Sequence, residues 1–157
     1  MKYFVIIRGP LGVGKTTIAK KLAEMLKAKY LELDAALEKH GLAKAEGDYT
    51  PEEWLKLNEA IIPEIKKEEI TVLDGNFYFK EQIDDLVKNL LAKGFIFTLK
   101  APLETCVERD KNRPLSFGPL AAEAVYNLVS KFDYGTTIQV EDKTVDEIIK
   151  EIKNFLS

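Results

Sequence analysis

The chain has 157 residues, 46% of them hydrophobic and 31% charged, which suits one domain over 1–157 with a real core and excludes a disordered segment or a disulfide-built miniprotein. One cysteine and one histidine cannot supply an internal disulfide or a zinc-finger ligand set, and the reducing cytosol is the expected compartment. A formal charge of −3 argues against a long nucleic-acid groove, and no apolar run approaches the roughly 20 residues of a membrane helix, so neither partner is expected; a small local anion site remains compatible.

Residues 3–8 read as a buried strand ended by glycine, with no small-residue cleavage site behind it. From Lys15 to about Ala28, apolar residues at Ile18, Ala19, Leu22, Met25 and Leu26 recur at helical spacing. Tyr30–Leu33 forms a brief strand carrying Asp34 at its end, and the polar stretch that follows holds a short helix around Leu37. The sequence T-P-E-E at Thr50–Glu53 announces a helix, with Thr50 and Glu53 as a capping box and Pro51 at the first helical position. Pro63 is expected to kink or break it.

Ile70–Leu73 is the next strand and ends in Asp74-Gly75. Glu81–Lys93 shows a helical stripe closed by Gly94, and Phe95–Leu99 returns to strand. A helix follows from near Pro102, then a breaker-rich loop over 110–118, then a helix from Pro119. Thr136–Val140 is the last strand, and a second capping box, Thr144 with Glu147, opens a C-terminal helix. About five strands separated mostly by helices predict a three-layer α/β/α sandwich around a parallel sheet. Right-handed crossovers then bring the loops that begin at Gly9, Asp34, Asp74 and Ala101 to one sheet edge.

One motif carries the chemistry. Gly9-Pro10-Leu11-Gly12-Val13-Gly14-Lys15-Thr16 satisfies G-x-x-x-x-G-K-[ST] between a predicted strand and a predicted helix. Its glycines let the backbone close around phosphate oxygens, and the helix start adds a field that favours anions. Lys15 can follow charge onto a transferring phosphoryl group, while the Thr16 hydroxyl can join a Mg²⁺ shell. Gly9, Gly12, Val13, Gly14, Lys15, Thr16 and Thr17 are therefore the expected nucleotide-binding residues.

Asp74, at a strand end, is placed for a Walker B carboxylate beside Thr16, although Asp-Gly is also an ordinary turn pair. Arg109 and Arg113 share a helix face if the helix persists that far, and either reach a phosphoryl group through the 110–118 loop or pair with Glu108 and Asp110 on the surface. Asp34 either accepts the proton of an attacking hydroxyl or caps the helix of 35–40, and the two roles are compatible. Phe77, Tyr78 and Phe79 either line an acceptor pocket or anchor the loop; Arg8 completes a strand end or pairs with an acid; His40 is expected at the solvated surface and Cys106 as a small buried side chain.

The chain resembles the small P-loop kinases related to adenylate kinase, shikimate and gluconate kinases, chloramphenicol phosphotransferase and the kinase domain of polynucleotide kinase. The resemblance rests on V-I-I-R-G-P-L-G-V-G-K-T-T-I-A, Asp34, V-L-D-G-N-F-Y, the run Leu99–Pro114 and V-E-D-K-T-V-D-E-I-I, from residue 3 to about 152. It implies sheet order 2-3-1-4-5, ATP and Mg²⁺ as cofactors, and a lid over 110–118 whose arginines, Arg109 and Arg113, contact phosphate. It further implies a purine-contacting turn around Glu141–Thr144, which includes Lys143, and an acceptor-gripping segment over about 35–65. One departure matters: no arginine lies between Arg8 and Arg109, so Lys39, Lys44 and Lys56 are the nearby point charges, which favours an acceptor with a hydroxyl and little anionic charge.

The leading function is an ATP-dependent phosphotransferase acting on a hydroxyl or phosphate of a small molecule, as a monomer or weak dimer. A nucleotide hydrolase or switch is the first alternative, although the guanine-reading N-K-x-D pattern is absent. A non-catalytic nucleotide-binding module is the second. A nucleic-acid end stays open as an acceptor within the leading class, although the acidic balance offers it no support.

Overall fold

Strand β1 (Tyr3–Arg8) alternates its side chains between the two faces of a sheet it centres. Phe4 and Ile6 face one way, Val5 and Ile7 the other, and all four are fully buried. A strand covered on both faces needs a helical layer on each side, which is why this run shows no polar alternation. The computed structural model describes residues 1–114, 116 and 118–156. Among them the order is β1, α1 (Lys15–Leu26), β2 (Lys29–Glu32), α2 (Leu33–Lys39), α3 (Pro51–Lys66), β3 (Ile70–Gly75), α4 (Lys80–Leu90), β4 (Lys93–Lys100), α5 (Leu103–Lys111), α6 (Pro119–Val129), β5 (Thr136–Gln139) and α7 (Val145–Leu156).

All strand pairings are parallel, and the sheet order is β2-β3-β1-β4-β5. The protein is an α/β/α sandwich with the expected order. One face carries α1, Cys106 of α5, and α7, joined through Ile18, Leu22, Ile149 and Ile152. The other carries α2, α3 and α4, joined through Leu37, Leu57, Ile61, Ile83 and Leu86. No helix among the described residues is long and apolar enough to cross a membrane.

Both predicted capping boxes are formed: Glu53 N–H donates to Thr50 Oγ1 at 3.2 Å, and Glu147 N–H to Thr144 Oγ1 at 3.1 Å. Three expectations need correction. Pro63 does not break α3, which runs through it to Lys66; Pro63 and Glu59, whose carbonyl loses its amide partner, are both on the exposed side, while Ile61 and Ile65 keep the helix in the core. Helix α4 stops at Leu90 rather than Lys93, because Leu91 turns left-handed (φ 53°) and points to solvent. Gly94 therefore does not close a helix but lies within β4, where a Cβ would come 2.4 Å from the Phe4 ring.

The third correction concerns Asp34. Strand β2 ends at Glu32, and Asp34 lies in the first turn of α2, whose N-cap is Glu32. Asp34 is thus not the cap residue of that helix, and a carboxylate in the first turn is favoured there by the helix field.

Candidate active site

The parallel register fixes what meets at the sheet's carboxyl edge. Ile7 pairs with Asp74, Arg8 with both Gly75 and Thr98, and Glu32 with Asp74, so the loops after β1, β2 and β3 start at one level.

The loop after β1 is shaped by close approach. At Gly12 (φ +78°) a Cβ would come 2.1 Å from the Cys106 carbonyl oxygen, so the loop presses directly on the backbone of α5. At Gly14, the N-cap of α1, space is open and only the left-handed backbone (φ 95°) calls for glycine. No side chain caps α1 and no acidic residue lies in its first turn, which leaves its leading amides free for an anion. Gly9 is buried beneath the loop against Val13 and Leu99. The Val13 side chain is buried in the core, so only its backbone is placed to meet a phosphate.

Gly12, Gly14, Lys15, Thr16, Thr17, Arg109 and Arg113 line a cavity of about 300 Å³. A second cavity, of about 280 Å³, is lined by Leu11, Lys15, Thr16, Glu32, Asp34, Asp74, Gly75, Asn76 and Arg113. The two share Lys15, Thr16 and Arg113 and therefore adjoin at those side chains. Burial pushes the Lys15 ammonium below the ordinary lysine range, against the pull of Asp74, Asp34 and Glu32 and with the push of Arg113.

Asp74 is fully buried. Its Oδ2 accepts from Thr16 Oγ1 at 2.9 Å and from Tyr30 Oη at 2.5 Å, while its Oδ1 has no partner. Burial, and the bond to Asp74, push the Tyr30 hydroxyl far above its ordinary range, so it serves as a donor. A buried carboxylate oxygen with nothing to accept from, next to a threonine hydroxyl, fits a hard cation that takes its remaining ligands from phosphate and water. No group of three or more His, Cys, Asp or Glu among the described residues could hold a metal by itself.

Asp34 opens into the second cavity. Lost hydration raises its carboxyl above the ordinary range; Lys15 opposes this, and Asp74 and Glu38 add to it. Glu32 is raised too, by lost hydration and then by Asp34 and Asp74.

Arg109 lies within α5, but Arg113 lies beyond its end at Lys111, so the pair does not share one helix face. Arg113 Nη1 is 3.5 Å from Oδ1 of Asp110, a buried carboxylate whose Oδ2 accepts from Ser116 Oγ at 3.1 Å. The expected 110–118 loop thus begins two residues later, after Lys111, and its Leu115 and Phe117 lie outside the described residues. Lys143 is drawn to Glu151 Oε2 at 2.9 Å, and Glu141 accepts from Thr105 Oγ1 at 3.2 Å, which ties the turn after β5 to α5.

Phe77 is buried in the core and holds a left-handed turn (φ 49°), so it anchors the loop. His40 is not a solvated surface residue: it is 22% exposed, with Nε2 3.0 Å from Glu64 Oε1. Cys106 is buried as expected, and burial pushes its thiol up to about 11.

Sequence reasoning undervalued Arg8. It is fully buried at the end of β1 and donates from Nη1 to Thr98 Oγ1 (3.1 Å) and the Phe132 carbonyl (3.2 Å). Nη2 donates to the carbonyls of Phe77 (3.2 Å) and Val129 (3.0 Å), and the guanidinium stacks 4.4 Å from the Phe132 ring. Burial lowers its pKa to about 10. One side chain thereby ties the strand under the phosphate loop to β4, to the loop after Asp74 and to the end of α6. The signal was there: an arginine closing the apolar run Phe4–Ile7 of a strand buried on both faces.

A family model described as an AAA domain (AAA_33) matches residues 4–131. A Pyrococcus furiosus protein provisionally named an adenylate kinase is 32% identical over 162 aligned residues, covering 98% of this chain and 83% of the relative. A shikimate kinase of Caldanaerobacter subterraneus subsp. tengcongensis is 29% identical, covering 94% of this chain and 92% of its own. In fold, a gluconokinase from Sinorhizobium meliloti 1021 superimposes with a TM-score of 0.72 at 15% identity, over 94% of this chain and 87% of that one. With the phosphate loop, the sheet order and the relatives in agreement, the chain belongs to the AAA domain family of P-loop kinases.

Proposed function

We propose that the protein transfers the γ-phosphoryl group of ATP to a hydroxyl of a small molecule, the work of one domain over 1–157. The observation that supports this most directly is the pair of adjoining cavities that share Lys15, Thr16 and Arg113. A hydrolase or a switch needs room for water at that junction; a second cavity of about 280 Å³, with a carboxylate in its wall, suits an organic acceptor.

The residues divide the work. The amides of Gly12, Val13 and Gly14 and the start of α1 hold the donor phosphates, with Thr17 at the rim. The turn Glu141–Thr144, with Lys143, borders the base. Thr16 and Asp74 would hold Mg²⁺, which when bound offsets charge on the phosphate oxygens. Lys15 spans both cavities and stays with the moving group, and Arg109 and Arg113 flank it from α5 and the turn beyond.

The acceptor oxygen bonds to the γ-phosphorus as the bond from phosphorus to the β–γ bridging oxygen breaks, and ADP leaves. The hydroxyl proton passes to the Asp34 carboxylate and from there to solvent. A raised carboxyl is a better match to that task than an ordinary one, because its base form holds a proton more strongly.

ADP release measured with and without a panel of hydroxyl compounds tests the reading. Release that rises with an acceptor, and a phosphorylated acceptor found by mass spectrometry, are the expected results. ADP release unaffected by every acceptor would make the protein a hydrolase or a binding module.

A further inference from the structure

The two cavities carry opposite kinds of polar group. The one formed by the phosphate loop presents Lys15, Arg109 and Arg113 and no carboxylate. In the other, three carboxylates, Glu32, Asp34 and Asp74, outnumber the two cations, Lys15 and Arg113, and both cations also face the donor side. With Asp74 Oδ1 assigned to the metal, the unpartnered buried atom left on this wall is likewise an acceptor: Asn76 Oδ1, left over because Asn76 Nδ2 donates to Tyr78 Oη at 2.7 Å. A ligand completing this wall has to bring donors.

The three lysines of the neighbouring segment, Lys39, Lys44 and Lys56, do not line this cavity. Lys39 Nζ lies 3.1 Å from Glu64. Lys44 Nζ lies 3.0 Å from Glu53 and donates to the Asp48 carbonyl at 2.9 Å. Lys56 is exposed on α3 and lines neither cavity. No arginine lies in the chain between Arg8 and Arg109, and Arg8 is wholly used by the core.

From this we infer that the acceptor is a cationic amino alcohol: a small compound whose hydroxyl reaches the Lys15 junction, beside Asp34, while a protonated amine is held by Glu32 on the same cavity wall. The inference rests on the transferase reading above and names its substrate class. Glu32 and Asp34 line one cavity with like charges, which a cation relieves and a phosphate or carboxylate worsens.

Triads graded in charge test it: glucosamine, glucose and glucuronate; ethanolamine, ethylene glycol and glycolate; an amino-nucleoside, its parent nucleoside and the nucleoside monophosphate. Each is assayed for ATP-dependent transfer, and each is titrated calorimetrically into the protein loaded with a non-hydrolysable ATP analogue. In any triad that is used, the amine is expected to exceed its neutral partner by about tenfold in kcat/KM, the equivalent of roughly 1.4 kcal/mol, and the anion to rank last. Glu32→Gln is expected to remove most of that preference through KM while leaving the KM for ATP unchanged.

A neutral or anionic member equal to the amine overturns the inference and leaves the transferase reading standing. If no triad yields transfer, the transferase reading falls, and calorimetry decides the inference separately: amine preference sustains it, and its absence overturns it. An amine preference untouched by Glu32→Gln overturns the assignment to this wall.

Discussion

The proposed donor and acceptor sides of this site are built by different means, and the difference shows where specificity would come from. The donor side is one contiguous run of chain, Gly9 to Thr17, closed by Arg109 and Arg113. Its groups are backbone amides and basic side chains, a set that recognises phosphate whatever is attached to it. The acceptor side is assembled from the ends of β1, β2 and β3 and the first turn of α2, and its groups are carboxylates whose protonation responds to what enters. Because the two are stitched together by Lys15, Thr16 and Arg113, single substitutions can separate them.

The largest effect is expected at Lys15, which faces both sides. Lys15→Ala should lower turnover by about 10²–10³-fold, the range for removing one preorganised charge donor at a transferring group. Burial already works against the Lys15 ammonium, so the melting temperature is expected to hold or rise. Turnover and a thermal melt on the same sample check this; undiminished turnover would dissolve the distinction between the two sides at their junction.

A smaller effect sharpens the contrast. Arg109 lines only the donor cavity, whereas Arg113 lines both. Alanine at either position should lower kcat more than it weakens ATP binding, by roughly tenfold or more, since such contacts strengthen as charge moves. Arg113→Ala alone should also alter the KM for the acceptor. Steady-state kinetics with ATP titrations distinguish this from a purely structural role, such as Arg113 pairing with the buried Asp110, which would leave kcat within about twofold of the parent and show instead as lost stability.

The smallest effect concerns pH and isolates the acceptor side. Asp34 accepts a proton only when ionised, and its carboxyl is held above the ordinary 3.8. The rate should therefore fall, as pH falls, at a value above 3.8, and Asp34→Asn should lower the plateau and erase that limb. Stability runs the other way. A carboxyl raised by folding favours the folded state below its unfolded pKa, and that favour is lost as pH rises through the folded value. Asp34→Asn is thus expected to melt higher than the parent at neutral pH and equally at low pH. Superimposable pH–rate curves would remove Asp34 from the proton's path.

Much of the fold was legible because periodicity and caps are local. Thr50 with Glu53 and Thr144 with Glu147 announced two helices correctly. The misreadings come from the same source: Gly94 looked like a helix stop because glycine usually is one, but the Phe4 ring across the sheet is what requires it. Pro63 looked like a break because nothing local shows that its freed carbonyl faces water.

The site divides likewise. Lys15 and Thr16 could be read from eight consecutive residues, since a phosphate loop is its own scaffold. Glu32 and Asn76 could not, because their meeting depends on the register that sets Glu32 beside Asp74. Arg8 was visible but not interpretable, as three of its four partners are backbone carbonyls distant in the chain.

The central position of β1 also sets an order of events during synthesis. Its neighbours are β3 on one side and β4 on the other, and the phosphate loop leans on Leu99 and on the carbonyl of Cys106. The phosphate-loop residues therefore leave the ribosome before Cys106 and have no wall to close against until it has followed them. Parallel pairing across such distances is slow and leaves apolar strands waiting. A ligand of that loop can first stabilise the nascent chain only once α5 is in place.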